Sequence, residues 1–280
     1  MLWKGRRESS NVEDRRGRVS RAAVGGGIGT IVIALVIYLL GGDPSQLLNV
    51  TQQGSSDTET SYQATAEENE LAKFVSVVLA DTEDVWQEQF RKSGSTYENP
   101  KLVLYSGSVE SACGMSGAAT GPFYCPADHK VYIDLSFYNE LRDRFRAPGD
   151  FAMAYVIAHE VGHHVQTLIG INDKVMALRS RLSETEFRKY LVRLELQADY
   201  LAGVWAHHAG KMKLLEEGDI EEAMNAASAV GDDRIQKNAQ GYVVPDSFTH
   251  GTSEQRKRWF LRGFKTGDLS EGDTFKEQSL

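Results

Sequence analysis

The sequence predicts an α+β fold, mainly helical with a small sheet, behind one transmembrane helix. Three observations carry this expectation. Apolar residues recur at helical spacing through several long stretches, among them Phe151, Ala154, Tyr155, Ala158, Val161, Val165 and Leu168. Only short segments, Leu102–Tyr105 and Lys130–Asp134, read as strands. An uncharged run fills residues 22–40, and about 20 apolar residues suffice to cross roughly 30 Å of hydrocarbon as a helix.

With 280 residues, 41% hydrophobic and 9% aromatic, the chain can form one substantial domain with appendages. Its formal net charge of -8 argues against nucleic acid as a partner. Residues 1–21 are polar and carry Lys4, Arg6, Arg7, Arg15, Arg16, Arg18 and Arg21. They read as a basic cytoplasmic segment without a core. Residues 22–41 read as a retained anchor, because Leu39-Leu40-Gly41-Gly42-Asp43-Pro44 offers no small-residue cleavage site. The next Lys or Arg after the run is Lys73, so the positive-inside rule sets the orientation. The expectation is a single-pass cell-membrane protein with a cytoplasmic N-terminus and an extracytoplasmic domain, periplasmic in a Gram-negative source. Gly25 and Gly29 form a G-x-x-x-G through which two anchors could pair as a homodimer. Residues 42–67, rich in Gln, Ser, Thr, Asp and Glu, read as a flexible tether.

The domain is expected over residues 68–268. It opens with an amphipathic helix marked by Leu71, Phe74, Val75, Val78, Leu79, Val85, Trp86 and Phe90, followed by the Leu102–Tyr105 strand. Cys113 and Cys125 are the only 2 cysteines, and the predicted topology puts them in an oxidising space. A disulfide closing their glycine-rich loop would contribute about 2–3 kcal/mol in the chain-entropy account; paired thiol metal ligands are the alternative. After the Lys130–Asp134 strand, residues 136–146 read as helix, with Phe137, Tyr138, Leu141 and Phe145 on the apolar face. A long apolar helix then runs from a cap at Asp150 to a stop at Gly170. Ser183-Glu184-Thr185-Glu186 is a capping box for a helix reaching about His207. Asp219 is expected to cap a helix ending at Ala229, residues 231–245 to be loop, and Ser253 to cap the last helix, with Trp259, Phe260 and Phe264 in the core. Residues 269–280 read as a C-terminal tail.

The chemistry concentrates in His159-Glu160-Val161-Gly162-His163, an H-E-x-x-H within the apolar helix. Histidines four apart share a helix face, with Cβ atoms roughly 5–6 Å apart, and supply half of a tetrahedral zinc site. Glu160 can then act as general base on a zinc-activated water. The third ligand is not found in the extended pattern H-E-x-x-H-x-x-G-x-x-H, because Gln166 and Ile169 stand at its glycine and histidine positions. Glu195 and Asp199, four apart on a later and largely apolar helix, are the other source. Glu195 could bind the metal while Asp199 accepts a hydrogen bond from a ligand histidine and fixes its tautomer. His207 and His208 lie roughly three turns beyond Glu195, too far to share its metal.

H-E-V-G-H at His159–His163 followed by E-L-Q-A-D at Glu195–Asp199 resembles the gluzincin pattern. The N-terminal run from Lys4 to Gly17 is more narrowly similar to the putative neutral zinc metallopeptidases of bacteria, membrane-anchored proteins with H-E-x-x-H-H mid-chain. The resemblance implies a gluzincin-like domain that hydrolyses protein or peptide substrates. It implies Zn2+ held by His159, His163 and Glu195, with Glu160 as catalytic base and Asp199 as support. It also implies an edge strand that pairs with substrate, for which Lys130–Asp134 is the candidate. A loose likeness to the H-P-x-x-x-x-R of one membrane-peptidase group makes His250 and Arg256 oxyanion candidates, although Gly251 replaces the proline. Nitrogen and carboxylate ligands would also admit cobalt, manganese or iron. Two other classes stay open: a zinc hydrolase of a non-peptide amide in the cell envelope, and a non-catalytic envelope protein with a structural metal.

Overall fold

The computed structural model describes residues 1–17, 62–117 and 120–280. Residues Met1–Arg16 and Ala64–Leu280 form one compact unit; Gly17–Gln63 form a second, nearly all of it outside the described residues. The expected anchor at residues 22–41, its G-x-x-x-G and most of the tether therefore lie outside the description. Among the described residues, no helix is long and apolar enough to cross a membrane.

Helix α1 (Ala66–Lys92) begins inside the segment expected as tether. Thr65 and Glu68 form a reciprocal capping box, and acids in the first turn with Arg91 and Lys92 in the last complement the helix dipole. Its apolar stripe, including Phe74, Val78, Leu79 and Trp86, is buried in the main core. A four-stranded sheet follows the order β1-β2-β6-β5, where β1 is Val12–Asp14, β2 Lys101–Tyr105, β5 Phe123–Cys125 and β6 Lys130–Asp134. The first two neighbouring pairs are parallel and β5 is antiparallel to β6. Strands β3 (Ser108–Ser111) and β4 (Gly114–Gly117) form a separate hairpin.

This order corrects the expectation for Lys130–Asp134, which lies inside the sheet and not at its edge. Val131, Tyr132 and Ile133 are all buried, as befits a strand covered on both faces. The edge on that side belongs to Phe123–Cys125, too short for its alternation to stand out from the glycine-rich loop; the opposite edge is β1. The Cys113–Cys125 disulfide is formed and ties the turn of the β3–β4 hairpin to that edge.

The rest is helical. A single turn α2 (Phe137–Asn139) passes into a π-helical turn over Glu140–Arg144, a broken version of the expected helix. Helix α3 (Asp150–Leu168) runs through the core, with Gly149 and not Asp150 at its cap position. Short α4 (Ile171–Met176) leads to α5 (Glu184–Lys211), which starts at the expected Ser183 capping box. Helix α6 (Asp219–Ala229) has Gly218 at its cap, and Asp219 is its first residue. Residues expected as loop form α7 (Asp232–Gln240). Only Asp232 of that helix is buried, so it carries no apolar stripe to read; two acids favour its N-terminus and Gly241, at φ 83°, ends it. Helix α8 (Ser253–Thr266) is capped by Thr252 and not Ser253, through a capping box with Gln255.

Helices α5 and α8 approach at two glycines. A Cβ on Gly203 would stand 2.1 Å from the Phe260 carbonyl oxygen, and one on Gly263 would stand 2.0 Å from that of Tyr200. Both chain ends correct the sequence expectation. In the segment expected as a tail, Thr274 is buried and its hydroxyl donates to the Arg193 carbonyl at 2.6 Å. The segment expected to lack a core supplies β1 and the buried Met1 and Ser9. Neither stretch has apolar periodicity; hydrogen bonds and ion pairs hold both together with scattered apolar contacts such as those of Met1, Trp3, Leu269 and Phe275.

Candidate metal centre

Helices α3 and α5 bring the two motifs together, and their closeness depends on Gly162. A Cβ there would meet the Ala198 carbonyl oxygen at 3.0 Å and its Cα at 3.2 Å. The unspecified position before the second histidine of H-E-x-x-H is thus constrained by packing. Across this contact Glu195 faces both histidines, with His159 Nε2 3.2 Å from its Oε2 and His163 Nε2 3.4 Å from its Oε1. The ligand atoms of His159, His163 and Glu195 lie within 4.8 Å of one another.

The far nitrogen of each imidazole is already engaged. His159 Nδ1–H donates to Asp199 Oδ1 at 2.9 Å, as expected for Asp199. His163 Nδ1–H donates to Gln166 Oε1 at 2.8 Å. Gln166 is oriented in turn, because its amide donates to the Leu194 carbonyl at 2.7 Å and to Gln197 Oε1 at 3.1 Å. Each Nδ1–H therefore has its own acceptor, which leaves each Nε2, on the side of Glu195, as the atom that would bind a metal. Among the described residues two imidazole nitrogens and one carboxylate converge here, a set of three donors that fits a zinc ion held with a position open for chemistry.

Arg256 is not at the open side of this group. It is buried behind Asp199, donating through Nε to Oδ2 at 2.8 Å and through Nη2 to Oδ1 at 3.0 Å. Tyr155 also donates to Asp199 Oδ1, at 2.5 Å. This corrects the expectation that Arg256 could contact an oxyanion. Burial pushes the Asp199 carboxyl up, but Arg256 and then His159 outweigh it and hold it below the usual carboxylate range. Burial likewise works against a charged His159, yet Asp199 and Glu195 raise it to about 9. Burial opposes ionisation of Glu195 as well, but His163 and His159 hold it well below its ordinary value.

Glu160 lies between the two histidines, 8% exposed, and burial pushes its carboxyl up despite the neighbouring imidazoles. His250 sits on a loop wound around Asp232. The Asp232 Oδ2 accepts from the backbone amides of Thr249, His250 and Gly251 at 2.7, 2.6 and 3.1 Å, while Oδ1 accepts from His250 Nδ1–H at 3.1 Å. Gly251, at φ 88°, packs so close to Val192 and Leu196 that a Cβ would stand 3.2 and 3.3 Å from them. The loop therefore flanks the turn that carries Glu195. Burial lowers His250, but Asp232 and then Glu195 raise it above the ordinary imidazole value.

The remaining histidines do other work. His164 is buried, linked to the Tyr124 hydroxyl at 3.0 Å and donating to the Glu98 carbonyl at 2.7 Å, so it fastens α3 to the edge strand β5. His207 bonds to the Phe264 carbonyl and His208 to that of Gly267, away from the metal donors as expected. The sequence reading missed Gln166, Tyr155 and Asp232 as supports. Gln166 had a signal, because it lies three residues after His163 on the same helix face.

A family model described as putative neutral zinc metallopeptidase matches residues 1–275. The protein YpfJ of Escherichia coli K12 is 50% identical over 283 residues, covering 98% of this chain and 99% of its own. The protein Rv2575 of Mycobacterium tuberculosis is 41% identical over 195 residues, covering 66% of this chain and 65% of its own. Both relatives carry the description "uncharacterized protein". No solved structure matches the chain.

Proposed function

The chain belongs to the putative neutral zinc metallopeptidase family, and from that premise we propose that it is a zinc-dependent hydrolase of peptide bonds in proteins or peptides. One observation carries the reading: His159, His163 and Glu195 converge while Asp199 and Gln166 occupy the opposite nitrogens of the imidazoles. These three residues would hold the zinc, which when bound polarises a carbonyl and acidifies a water. The set of three donors favours this over a structural site, which is closed by four protein ligands.

The chain's own residues do the rest. Glu160 is buried beside the donors with its proton affinity raised, which suits a general base. It accepts a proton from the attacking water and returns it to the departing amine. His250, oriented by Asp232, donates a hydrogen bond to the oxygen on which negative charge develops. The edge strand Phe123–Cys125, fastened to α3 through Tyr124 and His164, offers backbone groups to an extended substrate.

The direct test is Glu160→Gln. It keeps every donor, so zinc content measured by elemental analysis stays the same. Hydrolysis of an unfolded protein substrate falls by at least about a hundredfold, the lower range for general acid–base catalysis. Unchanged turnover would remove the mechanism. Activity on peptidoglycan fragments, without activity on proteins, would move the reading to an envelope amide hydrolase.

A further inference from the structure

We propose that residues 1–16 are a structural part of the domain, so that Met1–Arg16 and Ala64–Leu280 occupy one compartment. Arg6 and Arg7 then serve as partners of buried acids and not as an orientation signal for a membrane anchor. The inference stands apart from any catalytic activity.

Glu83 lies on α1 with its side chain 2% exposed, on the face turned towards the N-terminal segment. Its Oε1 accepts from the Ser9 hydroxyl at 2.5 Å and from Asn11 Nδ2 at 2.7 Å, and its Oε2 accepts from Arg7 Nη1 at 3.0 Å. All three donors belong to residues 7–11. Arg7 also donates to the Ala80 carbonyl at 2.8 Å, and Arg6 pairs with the buried Asp81 at 2.6 Å. A carboxylate so enclosed is strongly unfavourable without its partners. Helix α1 therefore requires the N-terminal segment on its own side of a membrane.

Backbone pairing makes the same demand. The Ser9 amide donates to the Ser76 carbonyl at 3.0 Å, and the Ser76 hydroxyl returns a bond to the Ser9 carbonyl at 3.2 Å. Strand β1 then runs parallel to β2 in the register Val12–Leu102, Glu13–Val103, Asp14–Leu104. Glu13 reaches two strands away, to Lys130 Nζ at 3.1 Å.

These contacts bear on topology in two ways. The positive-inside rule counts Lys and Arg beside an apolar run, and here Arg6 and Arg7 are each engaged with a buried carboxylate of α1. Further, a crossing takes about 20 apolar residues, so the uncharged run of residues 22–40 has length for one crossing and not for two. One crossing would leave β1 and β2 on opposite sides, which their pairing forbids. Any attachment to a membrane through that run is made from the side on which the domain lies.

The test uses the full chain in spheroplasts of a cell that expresses it. Ser10→Cys and Tyr242→Cys, both exposed positions, are probed separately with a membrane-impermeant maleimide before and after permeabilisation. The expected result is the same behaviour at both positions, whether both react at once or both react only after permeabilisation. Reaction of one before and the other only after overturns the proposal. A double-mutant cycle on the purified chain examines the contact itself. Arg7→Leu and Glu83→Leu each lower the melting temperature, and the double variant loses less than the sum. Strictly additive losses would likewise overturn it.

Discussion

Replacing Arg256 by methionine tests whether this arginine supports the metal centre or acts on substrate. The change keeps a long apolar side chain and removes the two-point contact to Asp199 at 2.8 and 3.0 Å. Asp199 is fully buried and would keep only Tyr155 and His159 as partners. Breaking a buried ion pair from one side costs about 3–5 kcal/mol. In a domain of this size that corresponds to a fall in melting temperature of about 6–20 °C. Because Asp199 holds the His159 ring, zinc affinity should also fall by about 10–100-fold, as for other partners of metal-ligating histidines. Arg256→Lys should sit between, since an ammonium cannot make the forked contact. The assays are thermal melts of metal-stripped protein and a competitive zinc titration. A variant with unaltered stability and zinc affinity but lower kcat would refute the reasoning and return Arg256 to the reaction itself.

Two further outcomes follow from the same geometry. His250→Ala should lower kcat by about 10²–10³-fold, the cost of one oxyanion donor, with zinc content unchanged by elemental analysis. Asp232→Asn should reproduce part of that loss, since it weakens the hold on the ring, and an unaffected kcat in both variants would take His250 out of the reaction. Gly263→Ala places a methyl 2.0 Å from the Tyr200 carbonyl oxygen. It should cost at least about 1–3 kcal/mol by forcing α5 and α8 apart, and a thermal melt equal to wild type would contradict the close approach.

What could be read in the sequence was whatever leaves a periodic or spaced mark. Long helices with an apolar face, α1, α3 and α5, were legible because burial imposes the 3.6-residue repeat. The convergence of His159, His163 and Glu195 was legible because residues four apart share a helix face and a metal site prescribes residue type at a fixed spacing. Helix α7 was not, because it buries almost nothing and its stability comes from its ends. The edge strand Phe123–Cys125 was not, because three residues cannot display an alternation. The N-terminal segment misled for a different reason: Arg6 and Arg7 have the composition of a solvated basic arm, and their acidic partners Asp81 and Glu83 lie more than 70 residues away. Arg256 misled in the same way, since a charged residue near a candidate site says nothing about which side of the histidines it occupies.

The two imidazoles are steadied by different distant parts of the chain, and this determines what the centre depends on. His159 leans on Asp199, which leans on Arg256, whose Nη1 reaches the Val230 carbonyl at the end of α6. His163 leans on Gln166, which leans on Gln197, whose amide donates to the Gly272 carbonyl in the C-terminal segment. Neither α8 nor the C-terminal segment supplies a candidate metal donor, yet each takes part in a chain of hydrogen bonds that starts at one. Histidines four apart on a helix would form in an isolated α3, but their tautomers and ring angles would not be set there. Correct presentation of both Nε2 atoms therefore requires residues 230–272 to be folded onto α3 and α5. On this reasoning loosening residues 230–272 should weaken metal binding without touching a candidate ligand.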